Sequence, residues 1–412
     1  MAVKKSLIRN YAKLVAQVGA NIQKNQDVVI SANVNESWFV EYVIDEAYKA
    51  GARHVSVEWG FDPLTRAQYK KESVKTLTDT PAWRIEKAKY ESEILPAKIY
   101  IVSDDPDAMK GVDPKKISEV RRINGPKFKP FRDKMDNHFQ WTIIGVPGDK
   151  WAKKVFPDLR VSEAKEKLFE AILKTSRAYD GDSVENWKAH NKDLKDRCSY
   201  LNSLGLKTLY YKASNGTDFK VSLKKETFFE GGSEDTIEGV TYQPNIPTEE
   251  WFTSPDKYSA EGVVYASKSL TLNGKVLHDF GFKFEGGKVV EVLAKDSDVK
   301  EALEALISTD EGSNRLGEVA LVPFDSPINQ TGLLFYETLY DENACCHLAL
   351  GMAFDEVIKG FDKMSEEEIK AVDLNDSIIH VDFMIGTQDL SIEADTYDGN
   401  HVTIFKNGTW AK

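Results

Sequence analysis

No stretch of this sequence stays apolar over the ~20 residues that a membrane-spanning helix needs, and MAVKKSLIRNYAKLV at the start is amphipathic where a signal peptide has a solid apolar core. No membrane partner is expected. Basic residues are also in short supply: 54 Lys and Arg against 66 Asp and Glu leave a formal net charge of −12. That balance removes the positive face that nucleic acid or an anionic bilayer requires. Cysteine is scarce. Cys198 and the adjacent Cys345 and Cys346 make an odd count of three without framework spacing, so a reducing, cytoplasmic setting is expected. In that setting triplets such as Asn215-Gly216-Thr217 carry no glycan. The vicinal cysteines beside His347 are read as packing, because sequence neighbours rarely chelate one ion together. The chain has no G-x-G-x-x-G, no P-loop, no solenoid repeat and no low-complexity tract, so nothing in it asks for a nucleotide.

What is present falls into two parts. At 412 residues the chain is too long for one ordinary core. Leu7, Ile8, Tyr11, Leu14, Val15, Val18 and Ile22 recur at helical spacing and predict a helix over 5–24. Strands are predicted at 27–32, 54–59, 98–103 and 140–145, alternating with helices at 36–50, 64–76, 114–124 and 161–179. Gly51 sits where a helix C-terminus wants glycine. This alternation predicts an α/β domain with a mainly parallel sheet over residues 1–183. Lys115, Lys116, Arg121 and Arg122 read as a solvated helix face, and His54 and His138 as structural. Residues 184–205 read as a polar bridging helix. From 206 to 412 short alternating strands and tight turns predict an α+β domain with a mainly antiparallel sheet, broken by a helix at 298–308. Turns at Asn215-Gly216, Asn273-Gly274 and Gly286-Gly287 are expected, the last two joining a three-stranded meander.

The chemistry concentrates between Glu311 and Phe354. Glu318 interrupts the apolar run Leu316 to Phe324, and a carboxylate there is costly unless something pairs with it. Glu342 and His347 follow a second apolar segment. His380 and Asp382 in HVDFMIG point to one face of a strand by period-2 alternation. Each has an ordinary explanation alone: Glu318 paired with Arg315, His347 a satisfied core histidine, His380 hydrogen-bonded to Asp382. Together they are a ligand set for one or two divalent metals, and the residues alone leave both readings open.

Four stretches, NIPTEEWFT (245–253), RLGEVALV (315–322), DENA (341–344) with His347, and His380-Val-Asp382, resemble the metalloaminopeptidases of the aminopeptidase T, aminopeptidase S and PepS type, in matching order and spacing. The likeness covers nearly the whole chain. It implies metal ligands at Glu250, Glu318, Glu342, His347, His380 and Asp382, with Glu318 shared by two ions. Either Glu249 or Glu250 can be the ligand on sequence; Glu250 is assigned, and Glu249 is given a supporting or proton-transfer role. Oxygen and nitrogen donors without thiolate fit Zn, Co or Mn. The resemblance implies release of N-terminal amino acids from short peptides by water activated between two metals, in a homodimer with an inner chamber.

One position departs from the family. Where the family has a tyrosine that helps to stabilise the tetrahedral intermediate, this chain has Phe354. A catalytically impaired or non-catalytic metal- and peptide-binding homologue is therefore the alternative reading. A small-molecule binder with its ligand in the N-terminal sheet rests on fold pattern alone. If the missing hydroxyl limits the rate, Phe354→Tyr raises kcat by up to ~10²-fold and changes KM less, because the hydroxyl acts on charge that develops in the transition state. Steady-state kinetics at saturating metal decide it: a level or lower kcat in the variant means Phe354 is no deficit.

Overall fold

The structure, a computed structural model, describes residues 3–272 and 275–411. The chain divides into two compact units, Met1–Ala189 with Ser233–Pro247 and Leu272–Lys275, and His190–Gly232 with Thr248–Thr271 and Val276–Lys412.

In the first unit, strands His54–Gly60, Asp27–Asn33, Ala97–Val102, Trp141–Gly145 and Asn245–Ile246 form, in that order, a five-stranded parallel sheet. The expected α/β domain with a parallel sheet is what the chain folds into. Helix Ser37–Ala50 ends at Gly51 with φ 109°, a left-handed conformation that only glycine adopts at no steric cost. Its Phe39 packs against Tyr11 and Phe169 with ring centroids 5.6 and 6.5 Å apart, and the Tyr11 hydroxyl donates to the Gly145 carbonyl at 3.1 Å.

Several boundaries differ from the sequence expectation, each for a local reason. The helix expected over 5–24 is α-helical over Lys5–Leu14 and continues as one wide π-turn, Val15–Gly19. The helix expected over 64–76 breaks into Asp62–Lys71 and Val74–Thr78, because Ser73 caps the second piece by accepting from Thr76 N–H at 3.1 Å. Helix Pro114–Met135 runs past Asn124 with Pro126 and Pro130 inside it. Asn124 and Lys127 tether it to the carbonyls of Leu77 and Thr78, and such tertiary bonds outweigh propensity. Helix Ala82–Ile94 was not anticipated; it buries only Glu91 and Ser92, so it has no apolar stripe to read. Helix Asp149–Val155 was also missed. His138 has a carboxylate partner, Glu238, at 2.8 Å on the surface.

The second unit holds antiparallel sheets of eight and of four strands. The larger, of eight strands, runs in the order Lys288–Ala294, Phe280–Glu285, Glu261–Tyr265, Asp218–Ser222, Leu206–Lys212, Ser391–Thr396, His401–Lys406, Thr409–Trp410. The expected three-stranded meander is not continuous: Leu270–Leu272 and Lys275–Leu277 form a separate two-stranded sheet, and the Gly286-Gly287 turn joins the other pair. The turn expected at Asn273-Gly274 lies outside the described residues.

The smaller sheet has four strands in the order Trp251–Thr253, Leu316–Leu321, His347–Gly351, His380–Met384. Its two faces have different duties. Phe383, on one face, packs against Phe282 and Phe280 at 5.1 and 6.4 Å. His380, Asp382 and Met384 share the opposite face by alternation. Register then sets Glu318, Ala349 and Asp382 in one row across three strands, with Ala320, His347 and Met384 in the next. Small Ala349 leaves space between the two carboxylates. A bulge at Gly317 makes this possible: Leu316 pairs with Leu350 while Glu318 pairs with Ala349, so Leu316 goes to the apolar face and Glu318 to the other.

A Cβ at Gly317 would stand 2.0 Å from the Met352 carbonyl oxygen and 2.4 Å from that of Gly351, both backbone atoms that cannot step aside. Gly317→Ala is expected to destabilise the protein by about 1–3 kcal/mol through overpacking. A fall in Tm by thermal denaturation checks this, and an unchanged Tm would mean that the bulge has slack.

Candidate metal centre

Two groups of side chains meet on the face of the four-stranded sheet opposite Phe383. Glu250, Glu318 and His347 offer ligand atoms within 4.8 Å of one another, as do Glu318, His380 and Asp382. Glu318 belongs to both. Its Oε1 lies 3.8 Å from His347 Nε2 and its Oε2 3.1 Å from His380 Nε2, so its two oxygens look to different imidazoles. Glu250 Oε2 is 3.2 Å from His347 Nε2, and Asp382 Oδ1 is 3.3 Å from His380 Nε2. The pairing of Glu318 with Arg315 does not occur: the Arg315 guanidinium bonds to the Lys257 carbonyl and lies over the Tyr258 ring.

The other nitrogen of each imidazole fixes its tautomer. His347 Nδ1 is 2.8 Å from the Glu342 carbonyl oxygen and His380 Nδ1 is 2.8 Å from that of Met352. A carbonyl can only accept, so each Nδ1 carries the hydrogen and each Nε2 presents its lone pair to carboxylate oxygens. Lone pairs facing lone pairs at these distances repel unless a proton or a cation lies between them. Burial works against charging either ring, yet the carboxylates around them hold both His347 and His380 well above the usual imidazole range. Burial alone would raise Glu318, but hydrogen bonds from the two histidines hold it down at about 2. Glu250 is raised by burial, and Glu342 is raised well above its ordinary value by burial and by the charges of Asp382 and Glu250. Without a cation the cluster is balanced by protons on the imidazoles and on the raised carboxyls of Glu250 and Glu342. Asp382 Oδ1 is buried without a hydrogen-bond partner. Hard oxygen donors and two correctly oriented imidazoles fit divalent cations.

The structure therefore brings together Glu250, Glu318, His347, His380 and Asp382, with Glu342 close enough for its charge to be felt by the same groups. The Glu249 carboxylate lies elsewhere, 3.8 Å from His190 Nε2. The Phe354 ring stands beside the second group, its centroid 4.8 Å from that of His380 and 5.4 Å from that of Phe252. Elsewhere in the unit the Tyr397 hydroxyl donates to the Leu223 carbonyl at 2.9 Å, and the buried Tyr340 ring stacks on Phe335 at 4.8 Å. Cys345 and Cys346 are buried. Desolvation raises both thiols, Cys346 to about 12, so they pack as small apolar groups.

Two supporting residues escaped the sequence reading. Asn343, fully buried, accepts the Glu249 N–H at 2.8 Å through Oδ1 and donates through Nδ2 to the Leu339 carbonyl at 3.1 Å and to Glu342 Oε1 at 3.3 Å. It couples the segment carrying Glu250 to the one carrying Glu342. His190 Nε2 bonds the Thr248 carbonyl at 2.8 Å from another side. Asn343 stood inside the DENA stretch, where a buried amide beside two acids was the available signal. His190 had none, since its partners lie almost sixty residues away.

The thermophilic metalloprotease (M29) pattern matches residues 4–410 of the chain. The chain is 38% identical over 405 residues to aminopeptidase AmpS of Bacillus subtilis (strain 168), covering 98% of each protein. It is 39% identical over 402 residues to aminopeptidase 2 of Geobacillus stearothermophilus, covering 97% of each. Its fold superimposes on the structure of wild-type AmpT from Thermus thermophilus with a TM-score of 0.90 at 35% identity, over 99% of this chain and 100% of the other.

Asn343→Ala leaves the buried Glu249 N–H without its acceptor and is expected to cost on the order of 2–3 kcal/mol. It should also shrink the rise in Tm that a divalent cation gives the unsubstituted protein, because bound ligand stabilises the folded state by mass action. Thermal denaturation with and without Zn checks both parts, and an equal metal-induced rise in the variant would remove Asn343 from the support of the site.

Proposed function

The chain belongs to the thermophilic metalloprotease (M29) family and is a metallo-aminopeptidase, and from that premise we propose that it releases N-terminal amino acids from short peptides with two divalent ions held around Glu318. The reading is carried by the pair of ligand groups that share Glu318, with both Nε2 lone pairs turned toward carboxylates. Glu250, Glu318 and His347 would hold one ion and Glu318, His380 and Asp382 the other, with Glu342 adding charge and a further donor. Zn, Co and Mn all suit this donor set. Such cations supply Lewis acidity toward a peptide carbonyl and make water a competent nucleophile at neutral pH.

The chain's own groups supply position and proton handling. The Glu342 and Met352 carbonyls lock the imidazoles with Nε2 inward, so no reorientation is needed when ligand binds. The buried Glu249 carboxylate, one residue from Glu250, is the group we assign to proton transfer, with His190 beside it. The acidic surroundings favour a substrate's cationic N-terminus. Phe354 offers no hydroxyl to a developing oxyanion; its ring shields one side of His380 from water. That observation favours the second reading, an impaired homologue that binds metal and peptide with little turnover. A homodimer and a cytoplasmic location, in keeping with the free thiols of Cys198, Cys345 and Cys346, complete the proposal.

Hydrolysis of aminoacyl-nitroanilides should be abolished by chelator and restored by Zn, Co or Mn. Glu318→Gln should lower kcat/KM by more than the roughly 10–100-fold that losing a ligand's outer partner costs, and should lower bound metal measured by elemental analysis. Chelator-insensitive turnover, or two ions retained per variant chain, would defeat the proposal; metal and peptide binding without turnover would select the impaired homologue.

A further inference from the structure

The two ligand groups differ in how far water reaches them. Glu250, Glu318 and His347 are all buried, and the His347 side chain keeps 1% of its surface exposed. In the second group the His380 side chain keeps 25% and that of Asp382 11%. Donor type does not rank the groups, because each has two carboxylates and one imidazole. Glu342 does not rank them either, since it feels the charges of both Asp382 and Glu250.

The supports of the two groups differ in the same sense. Behind the first stands Asn343, fully buried, which ties the Glu249 N–H beside Glu250 to the segment whose Glu342 carbonyl holds the His347 ring. The carbonyl that holds the His380 ring belongs to Met352, whose surface is 39% exposed. On that side the Phe354 ring lies against His380, with centroids 4.8 Å apart. Asp382 Oδ1 nonetheless has no hydrogen-bond partner, so the more open group still offers a lone pair to a cation.

Glu318 belongs to both groups, and two cations drawing on one carboxylate repel each other. Loss of one cation therefore strengthens the hold on the other, and release slows after the first. Water decides which goes first. A bound ion leaves by exchanging its donors for water one at a time, and in a desolvated group the half-released charge has no water to receive it. We propose that Glu250, Glu318 and His347 hold a resident ion while Glu318, His380 and Asp382 hold an exchangeable one, so that the free metal level decides whether the second is present. Phe354 acts as the cover of the exchangeable position, an apolar ring that limits the approach of water to His380. The proposal rests on reading the Glu318 cluster as a two-ion centre.

The test loads the full-length protein with two equivalents of Zn, adds a colorimetric chelator in excess and follows the metal released per chain. Two phases of one equivalent each are expected, about 10-fold or more apart in rate, the low end of what supporting contacts add to metal retention. Asp382→Asn, which keeps the shape of the side chain, should remove the fast phase and keep the slow one. Glu250→Gln should remove the slow phase, and Phe354→Ala should speed the fast phase alone. A cooperative melting transition in each metal-free variant keeps misfolding out of the comparison. The proposal is overturned by a single phase in the unsubstituted protein, by a fast phase that survives Asp382→Asn, or by a slow phase that survives Glu250→Gln. A Phe354→Ala variant in which both phases change alike, or neither does, removes Phe354 as the cover. All of these outcomes leave the two-ion reading standing. Fewer than two ions per chain at saturating Zn, by equilibrium dialysis and elemental analysis, defeats that reading itself.

Discussion

A carboxylate in the middle of a strand that is buried along its whole length has to be compensated, and in strand Leu316–Leu321 that carboxylate is Glu318. Everything around it answers the demand. Two imidazoles face its two oxygens, carbonyls turn those imidazoles the right way, and the carboxylates of Glu250 and Asp382 stand beside them. A cluster built only for stability would be better replaced by apolar residues of the same volume, since desolvating ions seldom repays itself. Its place in the centre of a sheet is intelligible as a donor set in which protons hold the positions that cations would take.

The sheet makes this affordable by separating duties between its faces. Phe383 anchors the strand His380–Met384 in an aromatic core with Phe280 and Phe282, and that anchoring leaves the positions on either side of it, Asp382 and Met384, turned the other way. The Gly317 bulge performs the same service for Glu318, releasing Leu316 to the apolar side. A single extra residue in one strand therefore decides whether the acid faces its imidazoles or the core.

Much of this was legible in the sequence because it depends on local periodicity. The βα alternation of the first half pointed to the parallel sheet, since a helical crossover between successive strands is the connection that parallel pairing needs. His380 and Asp382 were placed on one face by counting residues in twos. What could not be read depends on contacts between distant segments. Helix Ala82–Ile94 leaves no apolar stripe, helix Pro114–Met135 persists through two prolines because of tethers some fifty residues away in sequence, and the bulge at Gly317 appears only when its partner strand is in place. Glu250 and Glu249 looked equivalent on the page; backbone direction entering strand Trp251–Thr253 separates them, sending one toward His347 and the other toward His190. Asn343 and His190 were missed for the same reason, as their partners are close only after folding.

The candidate metal ligands and the turn that leads into Thr338–Asp341 obey different physical rules. The ligands sit on paired strands, where register fixes each side chain by two neighbours, so the geometry of the cluster hardly depends on loop sequence. That turn takes its shape from one buried acid, Asp341, whose bonds to the Phe335 and Glu337 N–H groups bracket Tyr336 at φ 57°. Rigid strands suit a centre whose donor spacing tolerates little error, while a turn held by a few bonds can be reshaped without disturbing it. In such an arrangement substitutions along residues 332–338 reshape the turn alone, whereas changes at the cross-strand row of Glu318, Ala349 and Asp382 disturb the cluster itself. Phe354 belongs to neither class: its ring packs tilted against that of a candidate ligand, His380, from a loop, so its replacement meets the cluster without touching the register that holds the donors.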